Sequence, residues 1–360
     1  MKLLVLLLFI PFSSCISKES QSIGVQYDYN YGNINCQIDS FYIIHKHESK
    51  YVYSAFYGGR NYFYNYTNAS LDYLDYKTRQ HVELFKIGED LHNKMRALGI
   101  ISEDSIAFVL ESGIIVFDSL GNKRTEYKFG DSELSKVDLE SNGYNPIIKI
   151  PDGFIYERYD KRKKDRQYIG MYSISKGKSI PVPISFPKIS RGNAGLVNNF
   201  SYIYFNGKIG VLFNFQSDIY LYDIRQGATT VHTIKSKYDE GFQPFMGKTS
   251  EEVNHHFVMS GNYYKMAYNP FKKQIMAVYL HPQNLKNDAD YYNQPFVNRK
   301  ASLIIIDENF NHQKEYVFST SLYALNLSVF AIEEGIIIRG LQTKEEYKKN
   351  GTKNYLINCP

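Results

Sequence analysis

One pattern recurs along the chain: a short, largely apolar run ends in a polar turn residue and is followed by a second strand-like stretch. Five such runs end at Asp75, Asp118, Ser173, Asp223 and Asp307. The polar stretches after them are rich in Asp, Asn and Gly, which supply the backbone conformations that tight turns need. Each repeat therefore predicts a β-hairpin, and a fold built from repeated hairpins.

The spacing of these turn residues indicates the architecture. Successive turns lie 43, 55, 50 and 84 residues apart, and the first three intervals fit four-stranded propeller blades, which are about 40 to 50 residues long. The long interval corresponds to one blade with insertions at about 236–261 and 282–300, and the first insertion contains a capping-box pattern, Thr249-Ser-Glu-Glu252. A sixth run ends at Asn358, 51 residues after Asp307. We therefore predict an all-β, six-bladed β-propeller of four-stranded antiparallel blades.

The last predicted blade lacks an outermost strand, because the sequence stops directly after the sixth run. An unpaired edge would leave backbone hydrogen-bonding groups unsatisfied. We expect the N-terminal strand-like segment from Cys36 to His45 to complete this blade and close the ring.

This closure brings two of the three cysteines to the same end of one junction, Cys36 before its first strand and Cys359 after its last. A disulfide between them would close a loop of more than 300 residues. The chain-entropy model values such a closure at roughly 4 to 5 kcal/mol. Two free thiols in neighbouring strands are the alternative, since a sequence defines little of the required geometry.

The N-terminus resembles a bacterial lipoprotein signal. Lys2 precedes an apolar run from Leu3 to Ile10, and a small-residue region then ends at Cys15. The apolar run is too short to span a bilayer. We expect Cys15 to become the acylated first residue of the mature protein, and an ordinary cleaved signal peptide with an incidental cysteine is the alternative.

The signal defines the expected domain organisation. Residues 1–14 form the signal peptide, 15–32 a polar, flexible tether, and 33–360 a single propeller domain. Because Ile16 replaces the acidic residue that would favour inner-membrane retention, we expect an outer-membrane lipoprotein that faces the periplasm or the cell surface.

Charge and motif content exclude several functions. The chain has 42 basic and 37 acidic residues spread along its length, so we expect no nucleic-acid partner. The motifs His-Glu-x-x-His, Cys-x-x-Cys and Gly-x-Ser-x-Gly and phosphate-cradling glycine loops are absent from the sequence. We therefore expect no metal and no cofactor.

Tyrosine is unusually abundant, with 33 residues, and its amphipathic ring can stack on sugars or on an apolar patch of a partner. Loops around Gly58-Gly59 and in the two insertions are the expected places for such contacts. The candidate ligand-binding residues are Tyr57, Arg60, Tyr62, His255, His256, Tyr291 and Tyr292. Tyr64 and Tyr66 belong to the same group, and strand packing is the alternative role for each tyrosine.

Several of these features together resemble a known group of proteins. The signal, the six hairpins, and the stretches Tyr263–Pro270 and Leu303–Glu308 are similar to the TolB-like six-bladed propeller lipoproteins of Bacteroidetes-type bacteria. The resemblance covers nearly the whole mature chain and implies a fold and an envelope location, but no activity. Gln274–Tyr279 lacks the arginine that this group often carries after a double tyrosine, so no ligand site is carried over.

We expect a non-catalytic binding or protein-interaction module of the cell envelope. It would be a monomer with a glycan or an envelope protein as partner, and it would contact the membrane only through its lipid anchor. The alternative is a propeller-type glycan lyase or hydrolase with its site in the central channel. Such an enzyme would need convergent carboxylates or a histidine with a perturbed pKa in that channel. A structural envelope component without a small-molecule site is a third hypothesis.

Overall fold

The structure is a computed structural model. It describes residues 36–45, 51–92, 94–110, 112–129, 145–159, 167–184, 200–241, 249, 252, 256, 259–283, 300–311, 313–318, 329–339 and 344–359. These residues form six four-stranded sheets in which all paired strands are antiparallel, arranged as the blades of a β-propeller. The predicted fold class is confirmed.

The N-terminal strand β1 (Gln37–Ile43) precedes the first three blades. Blade 1 consists of β2 (Tyr51–Tyr57), β3 (Arg60–Asn65), β4 (Ser70–Asp75) and β5 (Gln80–Lys86), followed by the short helix α1 (Glu89–His92). Blade 2 consists of β6 (Met95–Ser102), β7 (Ser105–Leu110), β8 (Gly113–Phe117) and β9 (Lys123–Lys128). Blade 3 consists of β10 (Ile148–Ile150), β11 (Gly153–Tyr159), β12 (Gln167–Ser173) and β13 (Lys178–Pro181).

The other three blades follow in the same order. Blade 4 consists of β14 (Phe200–Phe205), β15 (Lys208–Phe213), β16 (Asp218–Asp223) and β17 (Ala228–Thr233). Blade 5 consists of β18 (Asn262–Asn269), β19 (Gln274–Leu280), β20 (Ala301–Asp307) and β21 (Gln313–Val317). Blade 6 consists of β22 (Val329–Ile332), β23 (Gly335–Arg339), the helix α2 (Lys344–Asn350) and β24 (Thr352–Asn358), and β1 is its outermost strand.

The repeated turn residues have the same position in every blade, at or directly after the end of the third strand. Their side chains accept hydrogen bonds from the backbone of the following turn. Asp223 Oδ1 accepts from the amides of Arg225 and Gln226, each at 2.9 Å, and Asp118 Oδ1 accepts from the amides of Leu120 and Asn122. The repeat is therefore a set of side-chain-stabilised turns, which explains why Asp recurs there.

Ring closure takes place as predicted. Strand β1 pairs antiparallel with β24 from Gln37 opposite Asn358 to Ile43 opposite Thr352. Cys36 and Cys359 are joined by a disulfide with a Cα–Cα distance of 4.3 Å. The outer edge of the last blade is therefore paired through residues separated by 323 positions in sequence.

Aromatic side chains join neighbouring blades. The rings of Phe56 and Phe330 stack at 4.6 Å between blades 1 and 6, and those of Phe205 and Tyr268 stack at 5.1 Å between blades 4 and 5. Because each blade packs on both faces, its strands are buried on both sides, as in β8, β19 and β23. This packing accounts for much of the abundant tyrosine and phenylalanine.

The beginning of the first insertion is attached to blade 5. Glu315 on β21 accepts hydrogen bonds from Ser236 Oγ at 2.6 Å and from the Lys237 amide at 3.0 Å. The hydroxyl of Tyr263 on β18 donates to Asp239 Oδ2 at 2.7 Å. Further along, Thr249 and Glu252 exchange the reciprocal hydrogen bonds of the predicted capping box.

The helices in the described ranges are all too short or too polar to cross a bilayer.

Candidate functional site

The inner strands of the propeller surround a central channel of about 1070 Å³. Residues from all six blades line it, because the first strand of each blade lies at the centre of the ring. This volume is at the upper end of the range for small-molecule sites, which is about 300 to 1,000 Å³. The channel is therefore the principal concave site in the described part of the chain.

The wall of the channel combines aromatic rings with polar groups. Tyr57, Tyr204, Tyr268 and Phe271 line it. Asn61 also lines the channel, and its side-chain oxygen is buried without a hydrogen-bond partner among the described residues.

Three cationic side chains line the channel from three different blades: Lys149 of blade 3, Lys265 of blade 5 and Arg339 of blade 6. Burial lowers the pKa of the Lys265 amine to about 8, and the charge of Glu157 opposes that shift. Burial also lowers the pKa of Lys149, whose amine donates to the Ile150 carbonyl at 2.6 Å. Both shifts arise because burial disfavours the charged form of an amine.

No aspartate or glutamate is among the described residues that line the channel. Glu157 lies behind the wall, where Asn145 Nδ2 donates to its carboxylate at 3.2 Å. Asp152, close to Lys149, is exposed and accepts hydrogen bonds from Ser173 and Ser175.

A histidine lies at the junction of blades 6 and 1. His45 lines the channel, and its ring is hydrogen-bonded to the Thr352 hydroxyl. Burial and the nearby charges of His81 and Arg339 lower the pKa of His45 to about 3. Behind it, the His81 ring is hydrogen-bonded through Nε2 to Asp72 Oδ2 at 3.0 Å, and both side chains are fully buried.

Asp72 is well satisfied at this junction. Besides His81, it accepts hydrogen bonds from the Ser70 hydroxyl at 2.6 Å and from Asn65 Nδ2 at 2.9 Å. These three side-chain hydrogen bonds lower the pKa of Asp72 against the opposing effect of burial. The pair therefore belongs to the packed interior of blade 1, whereas His45 is exposed to the channel.

The family profile described as "Domain of unknown function (DUF4221)" matches residues 52–316, which is most of the chain. The chain belongs to the DUF4221 family. A crystal structure of a DUF4221 member from Bacteroides vulgatus is similar, with a TM-score of 0.62 and 16% identity over 90% of this chain and 96% of that one. No curated protein matches the sequence.

A second similar structure is that of a Bacteroides fragilis protein thought to be exported. Its TM-score is 0.53 and its identity is 8%, over 93% of this chain and 98% of that one. At these identities the two structures support the fold of this DUF4221 protein and do not transfer a site.

Of the candidate ligand-binding residues near Gly58-Gly59, one lies in the channel. Tyr57 ends β2, lines the channel and is 37% exposed. Arg60 is in an ion pair with Asp75 at 3.1 Å, and its guanidinium lies 5.0 Å from the centre of the Tyr73 ring. Arg60 thus has a structural role on β3, away from the channel.

Tyr62 and Tyr64 lie on strand β3 and not in a loop, which corrects the prediction for this group. Tyr62 is only 2% exposed, and both rings belong to the core between blades 1 and 2. Alternating aromatic residues around two glycines resemble a loop in sequence, but here the glycines occupy only the turn. Packing of blades on both faces of the sheet then buries the tyrosines.

The remaining candidates lie away from the channel or outside the described residues. The ring of His256 is 6.1 Å from that of Phe215, and its Nε2 is hydrogen-bonded to Ser260 Oγ at 3.1 Å. Residues Cys15, His255, Tyr291 and Tyr292 lie outside the described ranges. Within those ranges, no three histidine, cysteine or acidic side chains converge as a metal site.

The sequence analysis missed the channel cations. Lys265 lies in the inner strand β18 of blade 5, and in sequence it stands between tyrosines on one side and methionine and alanine on the other. Both faces of a propeller blade are packed, so a charged side chain in the innermost strand is expected to face the central channel. The lysine in this strand could therefore have been predicted to line the channel. Lys149 and Arg339 carried no comparable signal, because Lys149 lies in the three-residue strand β10 and Arg339 at the end of the five-residue strand β23.

Proposed function

We propose that this DUF4221 protein is an exported, lipid-anchored binding protein of the cell envelope, and that its central channel holds a glycan. The observation that carries the proposal is the channel itself, which is large, is lined by residues from every blade, and has aromatic and polar side chains in its wall. Tyrosine rings stack on the faces of sugars, and polar groups between them bind hydroxyls.

The geometry favours binding over catalysis. A glycosidase generally needs a pair of carboxylates across the scissile bond, and the described channel wall contains none. His45 is the one group that matches the enzyme alternative, since it lines the channel and has a perturbed pKa of about 3. A base this weak is poorly matched to neutral pH, because general-base catalysis is most efficient when the pKa lies near the working pH.

Three features support an envelope location: the lipoprotein-like N-terminus, the Cys36–Cys359 disulfide and the similarity in fold to the Bacteroides fragilis protein thought to be exported. Disulfides persist mainly in oxidising compartments outside the cytosol. Metabolic labelling with a lipid analogue should label the wild-type protein but not Cys15→Ala. Label that persists in the variant would exclude acylation at Cys15.

A matched pair of tyrosine substitutions tests the binding role. Tyr57 and Tyr42 are each 37% exposed, but only Tyr57 lines the channel. Calorimetric titration with neutral and acidic oligosaccharides should show binding that weakens about tenfold or more in Tyr57→Ala, the loss expected when a stacking contact is removed.

Tyr42→Ala should keep the wild-type affinity in the same titration. If both variants bind like the wild type, the ligand does not occupy the channel. If no oligosaccharide binds and cross-linked envelopes yield a protein partner instead, the chain acts as a protein-interaction module and not as a glycan-binding protein.

A further inference from the structure

We infer that the channel recognises the end of a glycan chain, and that this end enters through one mouth of the ring, where Tyr57 and Phe271 contact it. The inference rests on the proposed glycan-binding role and specifies which part of the glycan is bound and by which residues. Its basis is a closed ring with two exposed aromatic side chains at the same end of its channel.

The ring around the channel is closed on all sides. Strand β1 pairs with β24 along its whole length, and the Cys36–Cys359 disulfide joins the two ends of the propeller domain. Because residues from all six blades surround the channel, a linear ligand has to enter it along the axis of the ring. The middle of a long polymer cannot enter sideways, so a polymer would be bound by one of its ends.

Four aromatic residues lie at one end of the channel. Each of the six sheets has the first strand of its blade at the inner edge and the other strands outside it, so the inner strands run in the same direction through the ring. Tyr57 is the last residue of β2, and Tyr204 and Tyr268 are the penultimate residues of β14 and β18. Phe271 lies in the turn that follows β18. All four line the channel, and together they form an aromatic mouth.

A well-defined turn presents Phe271 at this mouth. Asn269 is buried, and its Oδ1 accepts hydrogen bonds from the amides of Phe271 at 3.0 Å and Lys272 at 3.2 Å, which defines the backbone of the turn. Phe271 is 54% exposed, and among the described residues it and Tyr57 are the large apolar side chains that are both exposed and line the channel. Because the turn already holds the backbone of Phe271, little further ordering is needed when a ligand stacks on its ring.

The protein also holds the Tyr268 ring in place. Its hydroxyl donates to Glu308 Oε2 at 3.0 Å, and Asn206 Nδ2 donates to the same oxygen at 2.8 Å. The ring stacks on Phe205 at 5.1 Å. The hydroxyl is engaged within the protein, so this residue contributes its ring to the wall.

The two ends of the channel differ in chemistry. Arg339 ends the second strand of blade 6 and Thr352 begins the third, so both lie at the end opposite the aromatic mouth. His45, hydrogen-bonded to the Thr352 hydroxyl, lies there as well. Exposed apolar surface marks contact sites, whereas polar side chains at a mouth can be hydrated by water. The aromatic mouth is therefore the end at which the faces of sugar rings are bound.

A tryptophan placed at the mouth is a selective reporter, because the protein contains no tryptophan of its own. Leu120 provides the matched control: it is 78% exposed, its amide donates to Asp118 Oδ1 in a similar turn, and it does not line the channel. The probes are maltotetraose, laminaritetraose, xylotetraose and tetragalacturonic acid. The fluorescence of Phe271→Trp should change with the probe that binds, and that of Leu120→Trp should stay constant.

Calorimetric titration with the same probe measures the contribution of the ring. Phe271→Ala should weaken binding about tenfold, and Phe271→Tyr, which keeps an aromatic ring, should bind like the wild type. Leu120→Ala should leave the affinity unchanged. Thermal unfolding verifies that each variant folds, and we expect unchanged melting temperatures because both side chains are exposed.

The stoichiometry of binding tests the recognition of a chain end. A long, soluble fraction of the glycan that binds should take up the same number of protein molecules per chain as the tetrasaccharide, because lengthening a linear chain adds no ends. A number that rises with chain length would overturn end recognition and leave the glycan-binding role intact.

The remaining outcomes also separate this inference from the proposed function. Binding that weakens in Tyr57→Ala, but is unchanged in Phe271→Ala and leaves the fluorescence of Phe271→Trp constant, would overturn entry at this mouth and not the binding role. Binding that is insensitive to both alanine substitutions, or no binding of any of the four probes, would overturn both.

Discussion

Lys265 and His45 both line the channel, and burial lowers the pKa of each. Their protonation states at neutral pH nevertheless differ. The pKa of Lys265 falls to about 8 and that of His45 to about 3. At neutral pH the lysine is therefore still mainly charged, whereas the histidine is neutral. An amine kept charged in a partly dehydrated site costs stability, and such groups are more often found at functional sites than elsewhere.

His45 makes stability depend on acidity. It is neutral in the folded protein down to about pH 3, whereas in the unfolded chain it takes up a proton below its ordinary pKa of 6.5. The unfolded state therefore binds more protons between these values, and stability falls as the pH decreases from 6.5 toward 3. The neighbouring groups that act on His45 are His81, Arg339 and Asp72.

We expect His45→Gln, which can still hydrogen-bond to Thr352, to show a shallower loss of melting temperature over this acidic range. Differential scanning calorimetry across the range measures the slope. The Asp72 carboxylate contributes a separate loss as the pH falls from its ordinary pKa of 3.8 toward its lowered pKa, and this loss should remain in the variant. A slope identical to that of the wild type would show that His45 is not responsible.

Strand β1 is the element on which ring closure depends. It leaves five of its seven residues exposed at the edge of blade 6, with Phe41 and Ile43 as its buried positions. A strand with so little buried surface is held mainly by its backbone pairing with β24 and by the disulfide at its N-terminal end.

Removing the disulfide should therefore open the ring at this point. We expect Cys36→Ser with Cys359→Ser to lose up to about 4 to 5 kcal/mol of unfolding free energy, the chain-entropy value for a loop of this length. Urea denaturation measures the loss, and hydrogen exchange should show faster exchange in β1 than in β2 to β5. Intact mass after alkylation without reductant is the direct check, since two alkylated thiols in the wild-type protein would contradict the bond.

The second insertion leaves and re-enters blade 5 between two directly paired strands, β19 and β20. Leu280 at the end of β19 lies opposite Ala301 at the beginning of β20, and the amide of His281 donates to the Lys300 carbonyl at 3.0 Å. The two ends of the second insertion therefore meet as the ends of a hairpin. A two-residue turn is sufficient to join them.

Replacing residues 282–299 by Asn-Gly should leave the melting temperature within a few degrees of the wild type, because the ladder of blade 5 stays intact. Calorimetry measures the melting temperature, and titration with neutral and acidic oligosaccharides measures binding in the channel. Capture of a protein partner from cross-linked envelopes should disappear if the insertion is an interaction surface, and retained capture would assign that surface to another part of the molecule.

The architecture was predictable from sequence because its signals are local. The turn residues, the apolar runs and the Asn206-Gly207 turn, whose φ angles are 48° and 79°, act over a few positions and repeat in each blade. The apolar runs that end at Asp75, Asp223 and Asp307 were found as the third strands β4, β16 and β20. Even the distant pairing of β1 with β24 followed from a count of unpaired edges.

The composition of the channel was not predictable in the same way. Alternation shows that a strand has two faces, but in a propeller both faces of a blade are buried, so Tyr57 and Tyr62 look alike in sequence and differ in the folded chain. Lys149, Lys265 and Arg339 are more than seventy residues apart from one another. They face one cavity because ring closure turns the inner strand of every blade toward a common axis, and this convergence exists only once the ring has formed.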